Sequence, residues 1–388
     1  MPIYFVFALN FLNGTAVQAS RVVLPLYALE LGANPFLVGL LGATFSFFPM
    51  LLAVSAGKLA DRFGSRWLLV IGMTGGGLGM LLPYFRSGLL MIFAAAILMG
   101  LSTSICNVSL QNLAGLLSKP ETRARNFSNY SLIGAITNTL GPLIAGFSIE
   151  HSGHAAACLY LALLAIPPVV MLLIRGGVLP GGTLDVEHSG GTSVFSTLSE
   201  PGVRRVLATG ALQNSGESLY QYYMPVYMHS ISLAASTIGI VLAMHSAAAF
   251  AVRLILPRLI ARYKEKRVLA YAFYVGAATL LVIPFFQNGM VLALISFVFG
   301  LGMGCCSPIV TMLMFENSPA GRSGETLGLK ITANHFTKVV SPIVFGAVAS
   351  ALGLPPVFWI DALMLGAGGL LSQTKAKLKP GIRKTADS

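Results

Sequence analysis

About twelve mostly apolar stretches, each long enough at roughly 20 residues to cross a bilayer as a helix, follow one another along this 388-residue chain. They fall near 3–29, 35–57, 67–85, 88–117, 124–150, 154–175, 203–229, 235–257, 267–285, 289–315, 325–351 and 355–373. The runs are continuous and lack the ten-residue alternation of a membrane β-barrel, so they predict helices. A soluble domain could not hide a 55% hydrophobic chain with mean hydropathy +0.78. The fold class that follows is an all-α membrane protein with twelve transmembrane helices. The first run carries Asn10, Asn13, Gln18 and Arg21, which does not suit a cleavable signal peptide.

Charge is scarce, and its placement predicts orientation. Of the 25 Lys and Arg, all but Arg21, Arg86, Arg253, Lys330 and Lys338 fall in alternate connections or the C-terminal tail. Lysine and arginine collect on the cytoplasmic side of membrane proteins, so both termini are expected there, in a cytoplasmic (inner) membrane. The net charge of +12 is therefore a topology signal. Nucleic-acid binding would need basic residues clustered on a soluble module, and the chain has none. Cys106, Cys158, Cys305 and Cys306 all lie within apolar runs and are read as packing residues. His151, His154, His245 and His335 show no diagnostic ligand spacing with them, so no metal site is expected.

The densest charge cluster lies between the second and third runs, at Gly57-Lys58-Leu59-Ala60-Asp61-Arg62-Phe63-Gly64-Ser65-Arg66. Its two bracketing glycines predict a tight loop. The pattern G-x-L-A-D-R-x-G-x-R resembles the signature between helices 2 and 3 of the major facilitator superfamily of secondary transporters, departing from it at Ser65. That resemblance implies two six-helix bundles rocking about a central site. It also implies that Gly57, Asp61, Arg62, Gly64 and Arg66 form a conformational latch, with Asp61 set against the start of helix 11. In helix 5, Gly141, Pro142 and a displaced Gly146 resemble the motif of the efflux (proton antiporter) branch. Physically, glycine allows close helix approach and proline frees a backbone carbonyl, so these residues and Pro342 are hinge and packing candidates. Helix 4 lacks the basic residue carried there by many proton-coupled members.

An internal repeat supports the two-bundle architecture independently. Shifting the chain by 200 positions aligns Pro25 with Pro225, Tyr27 with Tyr227, Gly39 with Gly239, Arg62 with Arg262, Cys106 with Cys306, Pro142 with Pro342 and Gly153 with Gly353, without a gap. Duplication of a six-helix half explains this, with an N-terminal bundle at 1–175, a Gly-rich cytoplasmic linker at 176–202, a C-terminal bundle at 203–373 and a basic cytoplasmic tail at 374–388.

Polar residues inside spans mark the candidate site, because a charge at mid-membrane is costly without a partner or a cavity. Helix 1 offers Asn13, Gln18 and Arg21 within one arc. Its repeat-mate, helix 7, offers Gln213, Asn214, Glu217, Tyr220 and Gln221. Helix 11 adds Asn334 and Lys338. Arg21 is expected to pair with Glu217, Asp361 to balance a lysine of helix 11, and Arg253 to snorkel to the cytoplasmic surface. Glu217, Asp361 and His245 are the candidate proton carriers. The expected activity is proton-coupled efflux of a small organic compound, with uptake or exchange of an organic anion, or uncoupled facilitated transport, as the alternative. The expected partners are the bilayer and a small-molecule substrate, for a monomer that needs no cofactor beyond a proton gradient and is not an enzyme.

Overall fold

The computed structural model describes residues 2–118, 123–179, 200–318 and 323–373. Among them the chain forms twelve α-helices and no strand. The first half contains α1 (Pro2–Glu30), α2 (Pro35–Phe63), α3 (Ser65–Phe85), α4 (Leu89–Leu116), α5 (Arg123–Leu164) and α6 (Ile166–Arg175). The second contains α7 (Pro201–Ser230), α8 (Ala235–Tyr263), α9 (Glu265–Val282), α10 (Gly289–Glu316), α11 (Ser323–Leu352) and α12 (Leu354–Gln373). Most of the expected link at 176–202 and all of the tail at 374–388 lie outside the described residues.

Helices of 28 to 30 residues, such as α1, α4 and α7, are longer than the hydrocarbon core requires. Among the described residues, nine segments are long and apolar enough to span on composition alone, one of them the 47-residue stretch Asn129–Arg175. That stretch turns at Gly153 (φ 81°, ψ 169°), so α5 holds two rods, the second continuing through a break at Ala165 into α6. Two helices, α1 and α7, fail the composition test because they carry the polar residues that the sequence assigns to the site. The outward faces carry large apolar side chains such as Ile71, Leu78 and Leu363, as lipid contact requires.

The repeat is written into the backbone. Among the described residues, positive φ occurs at Gly32 and Ser232, at Gly64 and Lys264, and at Gly153 and Gly353, three pairs each separated by the repeat distance. Side chains repeat the pattern: Asn126 donates to Ser118 Oγ at 2.9 Å, and Ser318 and Thr326 share a hydrogen bond of the same length. Tyr27 and Tyr227 both reach carbonyls at the end of the following helix pair, at Pro83 and Pro284.

The charged cluster differs from the expected loop. Helix α2 continues through Phe63, only Gly64 interrupts it (φ 78°, ψ 148°), and α3 begins at Ser65. Gly57 did not break the helix, since an interior glycine costs only about 1 kcal/mol. Gly57, Asp61 and Arg62 are therefore helical, and their side chains lie outside the described residues. Arg66 is described. Its guanidinium donates to the carbonyls of Leu172 (3.3 Å) and Leu173 (3.0 Å), tying the start of α3 to the last turns of α6, where free carbonyls favour a cation.

The halves meet at the end of the molecule where α1 and α7 finish, here called the far end. Gly39 of α2 packs against the Pro342 carbonyl of α11, and Gly239 of α8 packs against the Pro142 carbonyl of α5. The two contacts are repeat-mates. Gly146 lies against Ala235 and Gly239, while Gly346 lies against Phe36 and Tyr223. Tyr223, fully buried, donates to the Pro342 carbonyl at 2.5 Å, with Pro35 O at 3.3 Å. Added Cβ atoms at these glycines would sit on backbone, so the approach requires glycine there.

Candidate functional site

Below this closure lies a cavity of about 340 Å³ between the halves. Its lining comes from α1 (Gln18, Arg21), α7 (Gln213, Asn214, Glu217, Tyr220, Gln221), α8 (His245, Arg253) and α11 (Asn334, Lys338), with Asn138 and Pro142 from α5. Arg21, Asn138 and Gln18 belong to the first half, and Glu217, His245, Arg253 and Lys338 to the second.

Backbone packing sets these side chains. Gly141 presses on Gln18 and Ala19, which holds α5 against α1 and lets Gln18 Nε2 donate to Asn138 Oδ1. In the second half Asn214 Nδ2 donates to Asn334 Oδ1 and to the Gly210 carbonyl, both at 2.8 Å. Each half thus joins its first and fifth helices by an amide pair at the cavity wall. Gly300 and Gly304 of α10 meet the backbone of α8 at His245 and Ala249, fixing His245. The Tyr220 ring then lies 4.4 Å from His245 and 4.9 Å from Phe299. Tyr220 also donates to the Val241 carbonyl at 3.2 Å.

Glu217 pairs with His245, with Oε2 at 3.3 Å from Nε2. This corrects the expected Arg21 pairing. Among the described residues no carboxylate stands within 4.0 Å of Arg21, and its Nε is buried without a hydrogen-bond partner. The repeat put Arg21 and Glu217 on facing helices but carried no information about α8, whose histidine is nearer. Arg253, an exposed residue, borders the cavity and donates from Nε to the Gly304 carbonyl at 3.3 Å.

Two candidates lie elsewhere. Asn13 borders a small gap within the first half, beside Met73, Gly76 and Ser102. Asp361 is fully buried in the second half, where Ser215 donates to its Oδ1 at 2.9 Å, so it does not balance a lysine. Lys330 reaches Thr311 Oγ1. Sequence reasoning missed Ser218, Ser246 and Ser307, which carry no signal in a chain rich in small residues.

Ionised, Glu217 attracts His245, Lys338 and Arg253, and Lys338 and Arg21 repel each other across the boundary. The cavity therefore presents cations from both halves to a ligand.

Comparison with known proteins agrees with this fold. The family model described as Major Facilitator Superfamily matches residues 6–337. The quinolone resistance protein NorA of Staphylococcus aureus (strain COL) is 24% identical, covering 92% of this chain and 93% of its own. The multidrug resistance protein MdtG of Klebsiella pneumoniae (strain 342) is 25% identical over 91% of this chain and 88% of its own. Among solved structures, the nucleoside transporter NupG superposes with TM-score 0.80 at 14% identity, covering 95% of this chain and 98% of that one. The peptide transporter POT superposes with TM-score 0.81 at 14% identity, covering 96% and 93%.

Proposed function

We propose, from the premise that this chain belongs to the Major Facilitator Superfamily, that it exports a small organic compound by alternating access, using protons carried at Glu217 and His245. The chain is a multi-pass membrane transporter; coupling, cargo and direction are the proposal. The observation that carries it is the Glu217–His245 pair in the wall of a cavity shared by both halves. Its carboxylate side chain is 31% exposed, so a proton can reach it from the cavity. Export is supported by relatives named for resistance, since a transporter that protects a cell from a compound must carry it outward. The closed far end, which the charge bias assigns to the outside, belongs to a conformation that both directions of transport pass through.

A second reading has its own observation. With Glu217 protonated, Arg21, Arg253 and Lys338 face the cavity without an ionised carboxylate on its wall. Proton and anion would then favour each other's binding, which is the pattern of inward co-transport. Proteoliposomes with an internal pH dye separate the readings, using pooled organic anions, cations and neutral amphiphiles as candidate cargo. Protons moving against the cargo support export, and protons moving with it support uptake. Proton movement that survives unchanged in Glu217→Gln overturns the assignment of the proton site.

A further inference from the structure

The geometry points to a hydrophilic organic anion as the ligand of this cavity, its carboxylate bridging Arg21 of α1 and Lys338 of α11 and its hydroxyls meeting the wall amides. The inference rests on the reading of the cavity as the transport site, and it holds for either direction of transport.

Charge supplies the first argument. Arg21, Arg253 and Lys338 border the cavity against one carboxylate, Glu217, which His245 already engages. No described carboxylate lies within 4.0 Å of Arg21 or Lys338. Arg21 Nε is buried and makes no hydrogen bond, a donor left without an acceptor inside the protein. Lys338 and Arg21 repel each other, and they belong to opposite halves. An anion between them replaces that repulsion with two attractions and draws the halves together. Ligand occupancy is thereby tied to the closure that alternating access needs.

The rest of the wall supplies the second argument. Gln18, Asn138, Gln213, Asn214, Gln221 and Asn334 present carboxamides, each with donors and an acceptor. Such a wall suits hydroxyl groups and offers little to the apolar body of an amphipathic cation. A volume of about 340 Å³ is at the small end of ligand pockets, which favours a compact molecule. For an anion, a cytoplasm-negative membrane potential also drives exit, by about 2.3 kcal/mol per charge per 100 mV.

The test uses the full-length protein in nanodiscs of zwitterionic phosphatidylcholine, where no anionic headgroup competes for the cations. Thermal unfolding is followed with gluconate, malate and lactate, with sorbitol as the uncharged match to gluconate and tetraphenylphosphonium as the lipophilic cation. At least one of the three anions is expected to raise Tm in a saturable way, with sorbitol weaker by about tenfold or more in apparent affinity. Arg21→Gln and Lys338→Gln should each weaken that anion at least about tenfold, whereas Lys338→Arg should keep it. An anion panel that leaves Tm unchanged overturns the inference, as does an anion response that survives both glutamine variants. A Tm rise with tetraphenylphosphonium and none with the anions does the same. Binding is read without any gradient, so failure here is distinguishable from failure of proton coupling in proteoliposomes.

Discussion

Glu150, in the first half, caps Ser236 in the second: its Oε2 accepts the backbone N–H of Ser236 at 2.9 Å, at the start of α8. The repeat-mate of this bond runs the other way, with Ser350 Oγ accepting the N–H of Phe36 at 3.1 Å at the start of α2. In each, a side chain from one half satisfies a free N–H at the first turn of a helix in the other, so opening the far end exposes that group.

Ser350→Ala and Glu150→Ala should both shift the population toward an open far end. For Ser350→Ala the change in the ratio of open to closed is about two- to fivefold, the lower part of the range of a lost N-cap, as suits an exposed bond. Only the Glu150 effect should shrink in high salt, because only that bond carries a charge. Spin-label distances between the far ends of α5 and α8 measure the ratio. A population unmoved by either variant would remove the caps from the closure.

Gly239→Val tests the backbone contact beneath. A Cβ at Gly239 would lie 2.5 Å from the Pro142 carbonyl, a backbone atom that cannot rotate aside. The variant should fold, because the added side chain meets only the far-end contact between the halves, yet it should hold the far end open and lower transport at least about tenfold. Gly75, with nothing within 4 Å of an added Cβ, supplies the control, and Gly75→Ala should transport normally.

Lys264 holds φ 66° and ψ 151°, a conformation that its repeat-mate Gly64 adopts without strain. Lys264→Gly should therefore stabilise the protein by about 1–2 kcal/mol, and Gly64→Ala should destabilise it by a similar amount. Thermal unfolding in detergent reads both. A Lys264→Gly protein that melts at or below the parent temperature would mean that the lysine's own contacts outweigh the strain.

Arg66→Gln should loosen the end of α6, since two carbonyl acceptors, Leu172 and Leu173, lose their charged donor. The expected cost is about 1 kcal/mol after discounting for partial exposure. Faster hydrogen exchange confined to α6 and the start of α3 is the specific sign. Uniform exchange across the protein would indicate global destabilisation instead.

The helical membrane fold was legible because each apolar run is long and polar residues are few. The repeat was legible because proline, tyrosine and glycine keep their offsets. Gln18, Arg21, Glu217 and Lys338 could be placed at one face because an intramembrane polar group has few places to go. Their partners could not be read. Helical spacing gives the face of a helix but not what stands opposite, which is why His245 displaced Arg21 beside Glu217 and why Asp361 turned to Ser215. The charged cluster was misjudged for another reason: Gly57 was read as a helix breaker, but the helix runs on to a single true break at Gly64.

The far-end contact between Gly39 and Pro342, and its mate between Gly239 and Pro142, has a consequence for how such a chain diversifies. A joint made of backbone against backbone has no chemical identity to preserve beyond the smallness of glycine. The amides and cations lower down can be exchanged one at a time without rebuilding the joint. Cargo preference and machinery are thus separately inheritable, and a lineage can change what it carries while keeping the way it moves.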